Sequence, residues 1–567
     1  AFLPFHSVVH SHADAIVALT NTRDAEKLLQ EVYGNTVSVV EYIRPGFKLS
    51  KLVGETVQSN PNSGGVVLMN HGLFTWGDTS HEAYDRHIDL VAKADHFAQE
   101  RGKAKTVFTP SGKKQLSSDA RKNIAASLAP VIRGAVSELQ DVVLRYDDNS
   151  DILEFVNSNQ GNSLSQIGPA TPDHTLQTKI KPLWLELSNL EDIPQSSTQI
   201  RESVQEYALQ YSQWYKKNTD RMHPMLDPYP RLILVPGLGM WSTGKDARAA
   251  LIAADIYHHT IQVIKSAEGM STYVSLTDQD AYDVEYWPME LYKLTIAPPE
   301  RSFSRKVALV TGAANGIGKV IAQRLAAEGA HVIVTDLNSN LAVALAEEIN
   351  SQHGHNRALP LLMDVTNHSQ IIDAFRQIRL FYGGLDILVS NAGIAPAGIA
   401  DELSVSDWQK ALDVNTTGHF LVSQEAVRLM KQQEQGGSIV FIGTKNVPAP
   451  GAGFGAYSVS KAAQVQLARV LAIENGEFGI RCNVVNPDAI FQGSNLWSAE
   501  MREQRAKAHG ISVDGLEEFY RHRNLLKQYV TSDDVANTVL FLAGEQSSKT
   551  TGAMIPIDGG LRDAFPR

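Results

Sequence analysis

The chain has 567 residues, enough for three or four domains at roughly 150 residues each. Its 62 acidic and 51 basic residues give a formal charge of −11, which disfavours nucleic-acid binding through a basic surface, and no apolar run is long enough to cross a membrane. The single cysteine, Cys482, excludes a disulfide scaffold and favours a reducing, cytoplasmic compartment. Its apolar neighbours predict a buried core thiol.

The sequence divides into three blocks. Residues 1–105 combine short apolar runs with an amphipathic helix predicted over 80–102, and residues 106–300 are mixed. Residues 304–567 alternate strand-like and helix-like segments, a pattern typical of an α/β fold with a doubly wound parallel sheet. The chain opens at Ala1 inside a strand-like run, so we expect the natural N-terminus to lie upstream.

Three histidines of the first block are candidate metal ligands. His10 and His12 are two residues apart, and on a strand such residues point to one face. His71 follows an apolar strand and would supply a third imidazole, which leaves one position of a zinc ion open to substrate. The other histidines of this block are expected at the surface or at an interface: His6, His81, His87 and His96.

This histidine pair, followed by His71-Gly72, resembles the zinc-dependent class II aldolases of the aldolase/adducin fold. The resemblance implies that His10, His12 and His71 hold zinc, which polarises a sugar-phosphate carbonyl. The family also uses a glutamate and a phosphate loop upstream, beyond the nine residues that precede His10 here. We therefore expect a truncated aldolase-like domain, and the alternative is a domain without aldolase activity.

A weak repeat links the first two blocks. Residues 66–76 and 232–241 each contain an apolar strand, then Gly-Leu, then a tryptophan four residues after the glycine. Pro236 stands where the first copy has His71. Two interpretations remain open: chance similarity, or a duplicated unit that kept its fold and lost its polar site. The second would make residues 106–300 a support domain.

The third block opens with a dinucleotide-binding turn. A buried-type strand leads into Gly312, Gly316 and Gly318, and a helix is predicted over 319–329. Glycines in this spacing allow a tight turn and let the backbone approach a pyrophosphate at the helix N-terminus.

Asp336 ends the second strand of this block, 331–335. A carboxylate there can bind both adenosine ribose hydroxyls and would repel a 2′-phosphate. The sequence therefore predicts NAD rather than NADP, with an exposed strand-end carboxylate as the alternative interpretation.

Tyr457 and Lys461 are four residues apart and share a face of a predicted helix. An ammonium near a phenol lowers the phenol pKa from about 10 toward the working pH. Such a tyrosine can take a proton from an alcohol while hydride leaves to nicotinamide.

Together with Asn391-Ala392-Gly393 and a closing Asp558-Gly559-Gly560, these motifs make residues from 304 to 562 similar to the short-chain dehydrogenases/reductases. The resemblance implies a proton-relay role for Asn415. Thr444 stands where the family usually has serine and is expected to polarise the substrate. The cofactor site implied by the motifs and the resemblance comprises Gly312, Asn315, Gly316, Ile317, Gly318, Asp336, Asp364, Val365, Asn391, Ala392, Gly393, Tyr457, Lys461 and Pro487.

Asp488 follows Pro487, where the family usually has glycine. It is expected either near nicotinamide and substrate or as a structural carboxylate at a strand end. The sequence leaves both interpretations open.

The order of the two halves resembles the bacterial bifunctional rhamnulose-1-phosphate aldolase/lactaldehyde dehydrogenases. This implies zinc-dependent cleavage of L-rhamnulose 1-phosphate to dihydroxyacetone phosphate and L-lactaldehyde, NAD-dependent oxidation of lactaldehyde, and a homo-oligomer. Because Cys482 is expected in the core, the hydrated aldehyde would be the hydride donor, and reduction to propanediol stays open. The alternatives are an NAD-dependent sugar or polyol dehydrogenase with an inactive adducin-like oligomerisation module, or a non-enzymatic NAD sensor.

Overall fold

The computed structural model describes residues 2–112, 115–220, 222–493 and 496–565. The strands within these ranges are β1 (Ser7–Ser11), β2 (Ser38–Val40), β3 (Val66–Leu68), β4 (Gly72–Gly77), β5 (Val143–Asp147), β6 (Leu183–Trp184), β7 (Leu232–Val235), β8 (Gly239–Gly244), β9 (Val307–Thr311), β10 (His331–Asp336), β11 (Ala358–Leu362), β12 (Ile387–Ser390), β13 (Gly437–Ile442), β14 (Ile480–Pro487) and β15 (Met554–Ile557).

The α-helices in the same ranges are α1 (Asp14–Thr20), α2 (Ala25–Tyr33), α3 (Phe47–Ser59), α4 (Ser80–Gly102), α5 (Ser118–Val136), α6 (Ser150–Val156), α7 (Gly161–Ser165), α8 (Pro172–Thr178), α9 (Ile193–Asn218), α10 (Ala247–Met270), α11 (Asp278–Glu285), α12 (Pro288–Ile296), α13 (Gly316–Ala327), α14 (Ser339–His353), α15 (His368–Tyr382), α16 (Val405–Leu412), α17 (His419–Gln433), α18 (Gly455–Asn475), α19 (Ala499–His509), α20 (Leu516–Arg523) and α21 (Ser532–Ala543). A π-helix, Asp413–Gly418, joins α16 to α17. None of the described helices combines the length and low charge that crossing a membrane requires.

The chain forms two compact units. The first comprises residues 1–125, 145–244 and 249–298, and the second comprises residues 126–144, 245–248 and 299–567. The division passes through α5, β5 and α10, so the segment 126–144 belongs with the C-terminal block. The sequence pattern of the middle block gave no sign of this.

The first unit contains two sheets with the same strand order. One is β1-β4-β3-β2 and the other is β5-β8-β7-β6. In both, a parallel pair (β2 with β3, β6 with β7) adjoins an antiparallel pair (β3 with β4, β7 with β8), and a long helix, α4 or α10, follows the last strand. This shared order favours the duplicated-unit interpretation of the repeat.

Helix α4 has the predicted bounds, and a local signal sets its start. Thr79 accepts the N–H of Glu82, and the Glu82 carboxylate accepts the N–H of Thr79, which satisfies two backbone donors at the helix N-terminus.

The second unit is a seven-stranded sheet in the order β11-β10-β9-β12-β13-β14-β15, and every neighbouring pair is parallel. Its apolar strands are buried on both faces by helices, as crossover connections require. The predicted α/β fold with a doubly wound sheet is confirmed. Cys482 is fully buried on β14, and burial raises its pKa. The strand order reverses between β9 and β12, where such sheets bind ligands.

Candidate functional site

Three imidazoles of the first unit meet where β1 and β4 pair. His10 lies on β1, His12 follows that strand, and His71 precedes β4. Their ligand atoms all lie within 4.8 Å of one another. His10 Nε2 and His12 Nε2 are 3.1 Å apart, near the roughly 3.3 Å expected between two nitrogens of a tetrahedral zinc ion.

A glycine makes this approach possible. A Cβ on Gly72 would lie 2.2 Å from the carbonyl oxygen of Ser11 and 3.0 Å from the His12 ring. Asn70 has φ 53°, a left-handed conformation that asparagine tolerates better than most residues. The turn between β3 and β4 therefore brings His71 beside His12.

The donor set suits a metal ion. His71 is buried, and its Nδ1 has no hydrogen-bond partner within the described ranges. Burial and the two neighbouring imidazoles lower its pKa to about 3, which keeps it in the neutral, metal-binding form. His10 Nδ1 donates to the carbonyl of Leu73 at 2.9 Å, which leaves Nε2 as its ligand atom. These residues fit zinc with a fourth position open.

Asp173 adds a carboxylate to this cluster, and sequence reasoning missed it. Its Oδ2 lies 3.4 Å from His12 Nδ1, where it can hold the ring with Nε2 turned to the other histidines. Asp173 begins the short helix α8, far from His12 in the chain, and no local motif marks the pair.

The expectation that His87 lies at the surface or an interface is wrong. His87 is buried within the first unit, with Nε2 2.6 Å from Ser11 Oγ and Nδ1 3.0 Å from Thr75 Oγ1. These contacts tie α4 to β1 and β4, the strands that carry the histidine cluster. Hydrophobic periodicity alone did not place His87 on the packed face of α4.

In the second unit, a cleft of about 1440 Å³ lies at the carboxyl ends of β9, β10 and β12. Helix α13 begins at Gly316, three residues before the predicted start. Gly312 has φ 60°, and a Cβ on Gly318 would lie 2.3 Å from the Gly312 carbonyl oxygen, so both positions need glycine. The predicted cofactor residues that line the cleft are Gly312, Asn315, Gly316, Ile317, Asp336, Asp364, Val365, Asn391, Ala392 and Gly393.

Asp336 is fixed at the edge of this cleft. Oδ2 accepts the N–H of Ala314 and Oδ1 accepts the N–H of Asn338, each at 3.0 Å. The carboxylate therefore ends β10 in a set orientation beside the glycine turn, and its position fits a nucleotide ribose.

The side-chain amide of Asn391 bonds to the backbone of the glycine turn. Its Nδ2 donates to the carbonyls of Thr311 and Gly312, each at 3.0 Å. This holds the end of β12 against the turn after β9.

Tyr457 and Lys461 lie one turn apart on α18, on the same face, as predicted. With Thr444 and Pro487 they line a cavity of about 150 Å³. The residues that line both this cavity and the cleft include Ile317, Asn391 and Gly393. A substrate in the cavity would therefore lie beside the end of a dinucleotide in the cleft.

The predicted lowering of the Tyr457 pKa by Lys461 is not what the structure shows. Burial raises the pKa of Tyr457, and a hydrogen bond with Thr444 is the influence that opposes it. Burial lowers the pKa of Lys461 to about 7. Lys461 Nζ donates to the carbonyl of Ile442 at 2.8 Å, so one of its N–H groups is bonded to the end of β13.

Asn415 lies on the π-helix, a feature frequent at functional sites. It is buried, and its amide exchanges hydrogen bonds with the backbone of Ile394 at 2.8 and 3.0 Å and donates to Ser460 Oγ at 3.1 Å. It thereby joins the loop after β12 to α18, the helix that carries Tyr457 and Lys461.

Asn486 is a positioning residue that the sequence did not reveal. Its Oδ1 accepts the N–H of Thr444 at 3.0 Å, and it is itself buried on β14. This hydrogen bond ties the backbone of Thr444, which lines the cavity, to the neighbouring strand β14.

Three family models match the chain. "Class II Aldolase and Adducin N-terminal domain" matches residues 1–95, "Aldolase class II, second domain" matches 123–294, and "Enoyl-(Acyl carrier protein) reductase" matches 312–562. A Bacillus subtilis (strain 168) protein described as "Uncharacterized oxidoreductase YuxG" is 44% identical over 568 residues, which cover 100% of this chain and 82% of that protein. The chain belongs to the family of class II aldolase–short-chain dehydrogenase fusions.

Two further relatives match only the dehydrogenase half, and each alignment covers 45% of this chain. The 2,3-dihydro-2,3-dihydroxybenzoate dehydrogenase of B. subtilis (strain 168) is 32% identical and is covered over 95% of its length. The sorbitol-6-phosphate 2-dehydrogenase of Escherichia coli (strain K12) is 31% identical and is covered over 98%. The matches confirm the prediction of an enzyme in which class II aldolase domains are joined to a short-chain dehydrogenase.

Proposed function

We propose that the fusion protein interconverts an alcohol and a carbonyl compound with NAD in its second unit, and cleaves a sugar phosphate with the help of zinc in its first. The observation that carries the dehydrogenase part is the convergence of Tyr457, Lys461 and Thr444 on a small cavity beside the dinucleotide cleft.

Each site residue has a separate role in the oxidation of the alcohol. Gly312, Gly316 and Asp336 would hold NAD in the cleft, where it would supply the hydride acceptor for the carbinol carbon. Tyr457 accepts the hydroxyl proton of the same alcohol, so that a carbonyl compound remains. Thr444 donates a hydrogen bond to the reacting oxygen, and Lys461 binds the ribose beside it. The preference for NAD rests on Asp336, whose charge opposes a 2′-phosphate.

The first unit supplies a separate chemistry. His10, His12 and His71 would hold zinc, which supplies polarisation of a substrate carbonyl when bound. Asp173 keeps the His12 ring in its ligating orientation through the contact at Nδ1.

The family resemblance names candidate substrates. They are L-rhamnulose 1-phosphate for the aldolase half and L-lactaldehyde for the dehydrogenase half. A sugar- or polyol-phosphate dehydrogenase is the second candidate, favoured by the 31% identity to the sorbitol-6-phosphate 2-dehydrogenase.

Tyr457→Phe tests the dehydrogenase proposal. Removing the phenolic hydroxyl removes the proton acceptor, so NADH formation from alcohols should fall by about 10²- to 10⁴-fold. Binding of NADH, followed by its fluorescence, should stay unchanged because the ring remains.

The matched control is Tyr292→Phe, which removes a hydroxyl from an exposed tyrosine of the first unit. It should leave both readouts unchanged. Full turnover by Tyr457→Phe would contradict the assignment of Tyr457.

A further inference from the structure

Three basic side chains gather at the substrate end of the dehydrogenase cavity. Lys445 follows Thr444 directly, and Arg505 lies on α19; both line the cavity that holds Tyr457. Burial lowers the pKa of Lys445 to about 8, and the positive charges of Arg505 and of Arg523, on α20, add to this lowering.

The carboxylates nearby offset this cluster only in part. Asp488, whose side chain is 4% exposed, lines the cavity and forms an ion pair with Arg523. Asp488 and Asp563 also act electrostatically on Lys445. Within the part of the chain that the structure describes, neither Lys445 nor Arg505 forms an ion pair, so both cations face the cavity without a directly paired carboxylate.

Arg505 is held in place by groups that carry no charge. Its guanidinium lies 4.8 Å from the ring centre of Phe454, whose ring centre is 6.0 Å from that of Tyr457. It donates to the carbonyl of Ala452 at 3.1 Å and to His509 Nε2 at 3.2 Å. Its Nε is buried and finds no acceptor among the described residues.

Lys445 is similarly under-satisfied. Its Nζ donates to the carbonyl of Ala449 at 3.3 Å, a long bond to an uncharged acceptor. Cations withdrawn from water without a counter-charge are costly, and an anion that enters the site offsets that cost. Stacking of Arg505 on Phe454 explains its position but leaves donors unused.

We propose that the dehydrogenase site takes a small substrate that carries a carboxylate or phosphate group, which Lys445 and Arg505 bind while Tyr457 and Thr444 engage the reacting oxygen. This inference rests on the proposed dehydrogenase function and adds the substrate class.

The test compares matched neutral and anionic substrates with the full chain and NAD. The pairs are sorbitol with sorbitol 6-phosphate, and 1,2-propanediol with L-lactate; L-lactaldehyde is a further neutral compound. We expect kcat/KM for NADH formation to favour the anionic member of at least one pair by about tenfold or more. The pair that shows the preference distinguishes phosphate from carboxylate.

Lys445→Gln and Arg505→Gln should each reduce that preference about tenfold, mainly by raising KM for the anionic member. Arg505→Lys should restore part of the loss. The control is Lys507→Gln, an exposed residue on the same helix as Arg505, which should change nothing.

A preference for L-lactaldehyde or the other neutral compounds that survives in both glutamine variants would overturn the inference and leave the dehydrogenase function intact. If no compound reacts, the test is the binding of inorganic phosphate to the enzyme–NADH complex. Phosphate binding that Lys445→Gln weakens would support the anion site. Absence of phosphate binding would overturn it. Failure to bind NADH would contradict the dehydrogenase function itself.

Discussion

At the scale of single residues, Asp336 links the fold most directly to cofactor choice. Both of its carboxylate oxygens accept backbone N–H groups, from Ala314 and Asn338. These contacts fix the orientation of the carboxylate, which we propose to face the 2′ position of the cofactor ribose.

We predict that Asp336→Ala changes the cofactor preference. Without the carboxylate, NAD loses two ribose hydrogen bonds and NADP no longer meets a negative charge, so KM should rise for NAD and fall for NADP. Steady-state kinetics with both cofactors measure the ratio of the two kcat/KM values. An unchanged ratio would show that Asp336 is only a strand-end carboxylate.

The sequence predicts those site residues whose spacing along the chain places them on one face of a helix or strand. Tyr457 and Lys461 share a helix face because they are four residues apart, and His10 and His12 share a strand face. Asp173 and Arg505 depend on tertiary packing that brings distant segments together, which no local pattern encodes. The pKa of Tyr457 was predicted in the wrong direction because burial and the Lys461–Ile442 contact are invisible in the sequence.

At the scale of elements, the end of α5 is part of the dehydrogenase unit. Arg133 of this helix is fully buried and pairs with Asp386, with contacts of 2.8 and 3.1 Å. Arg133 and the nearby Lys306 lower the pKa of Asp386 despite its burial. Gly134 packs so closely that a Cβ there would lie 2.0 Å from the carbonyl oxygen of Gln433.

Arg133→Met should destabilise the dehydrogenase unit by about 3–5 kcal/mol at pH 7, because it leaves the Asp386 carboxylate buried without its main counter-charge. The native pKa of Asp386 is lowered, so its stabilising contribution is present above the unfolded pKa of about 3.9 and is lost as pH falls through the native value. The difference between wild type and variant should therefore persist down to about pH 4 and shrink only below it, at about pH 3. Urea unfolding followed by circular dichroism at these pH values measures it.

The control for this variant is Arg324→Met, which breaks an exposed pair between Arg324 on α13 and Asp533 on α21. Exposed pairs contribute little, so its urea midpoint should stay near that of the wild type. Equal midpoints for Arg133→Met and the wild type would show that α5 is dispensable to the dehydrogenase unit.

The elements differ in how well the sequence predicts them. The bounds of α4 agree with prediction because Thr79 and Glu82 cap its start. The start of α13 does not, because the glycine turn passes into the helix without a side-chain cap at Asn315. The place of 126–144 in the second unit depends on the Arg133–Asp386 pair, whose members are far apart in the chain.

At the scale of the whole molecule, two chemically different sites occupy two compact units of one chain. The first unit repeats one strand order in two sheets, yet the histidine cluster occurs in the first copy, and Pro236 stands where the repeat places His71 in the second. This favours a duplicated strand–helix unit, of which the second copy kept the fold and lost the histidine site.

We propose that the zinc and nicotinamide sites of this chain bind their ligands independently of each other. The most direct test measures bound zinc and NADH per chain on the same preparation of wild type and of His71→Ala. We predict one zinc and one NADH per chain in the wild type, and loss of zinc with unchanged NADH affinity in the variant. A wild-type chain that binds NADH but no zinc, or a His71→Ala variant that keeps its zinc, would contradict the account of the first unit.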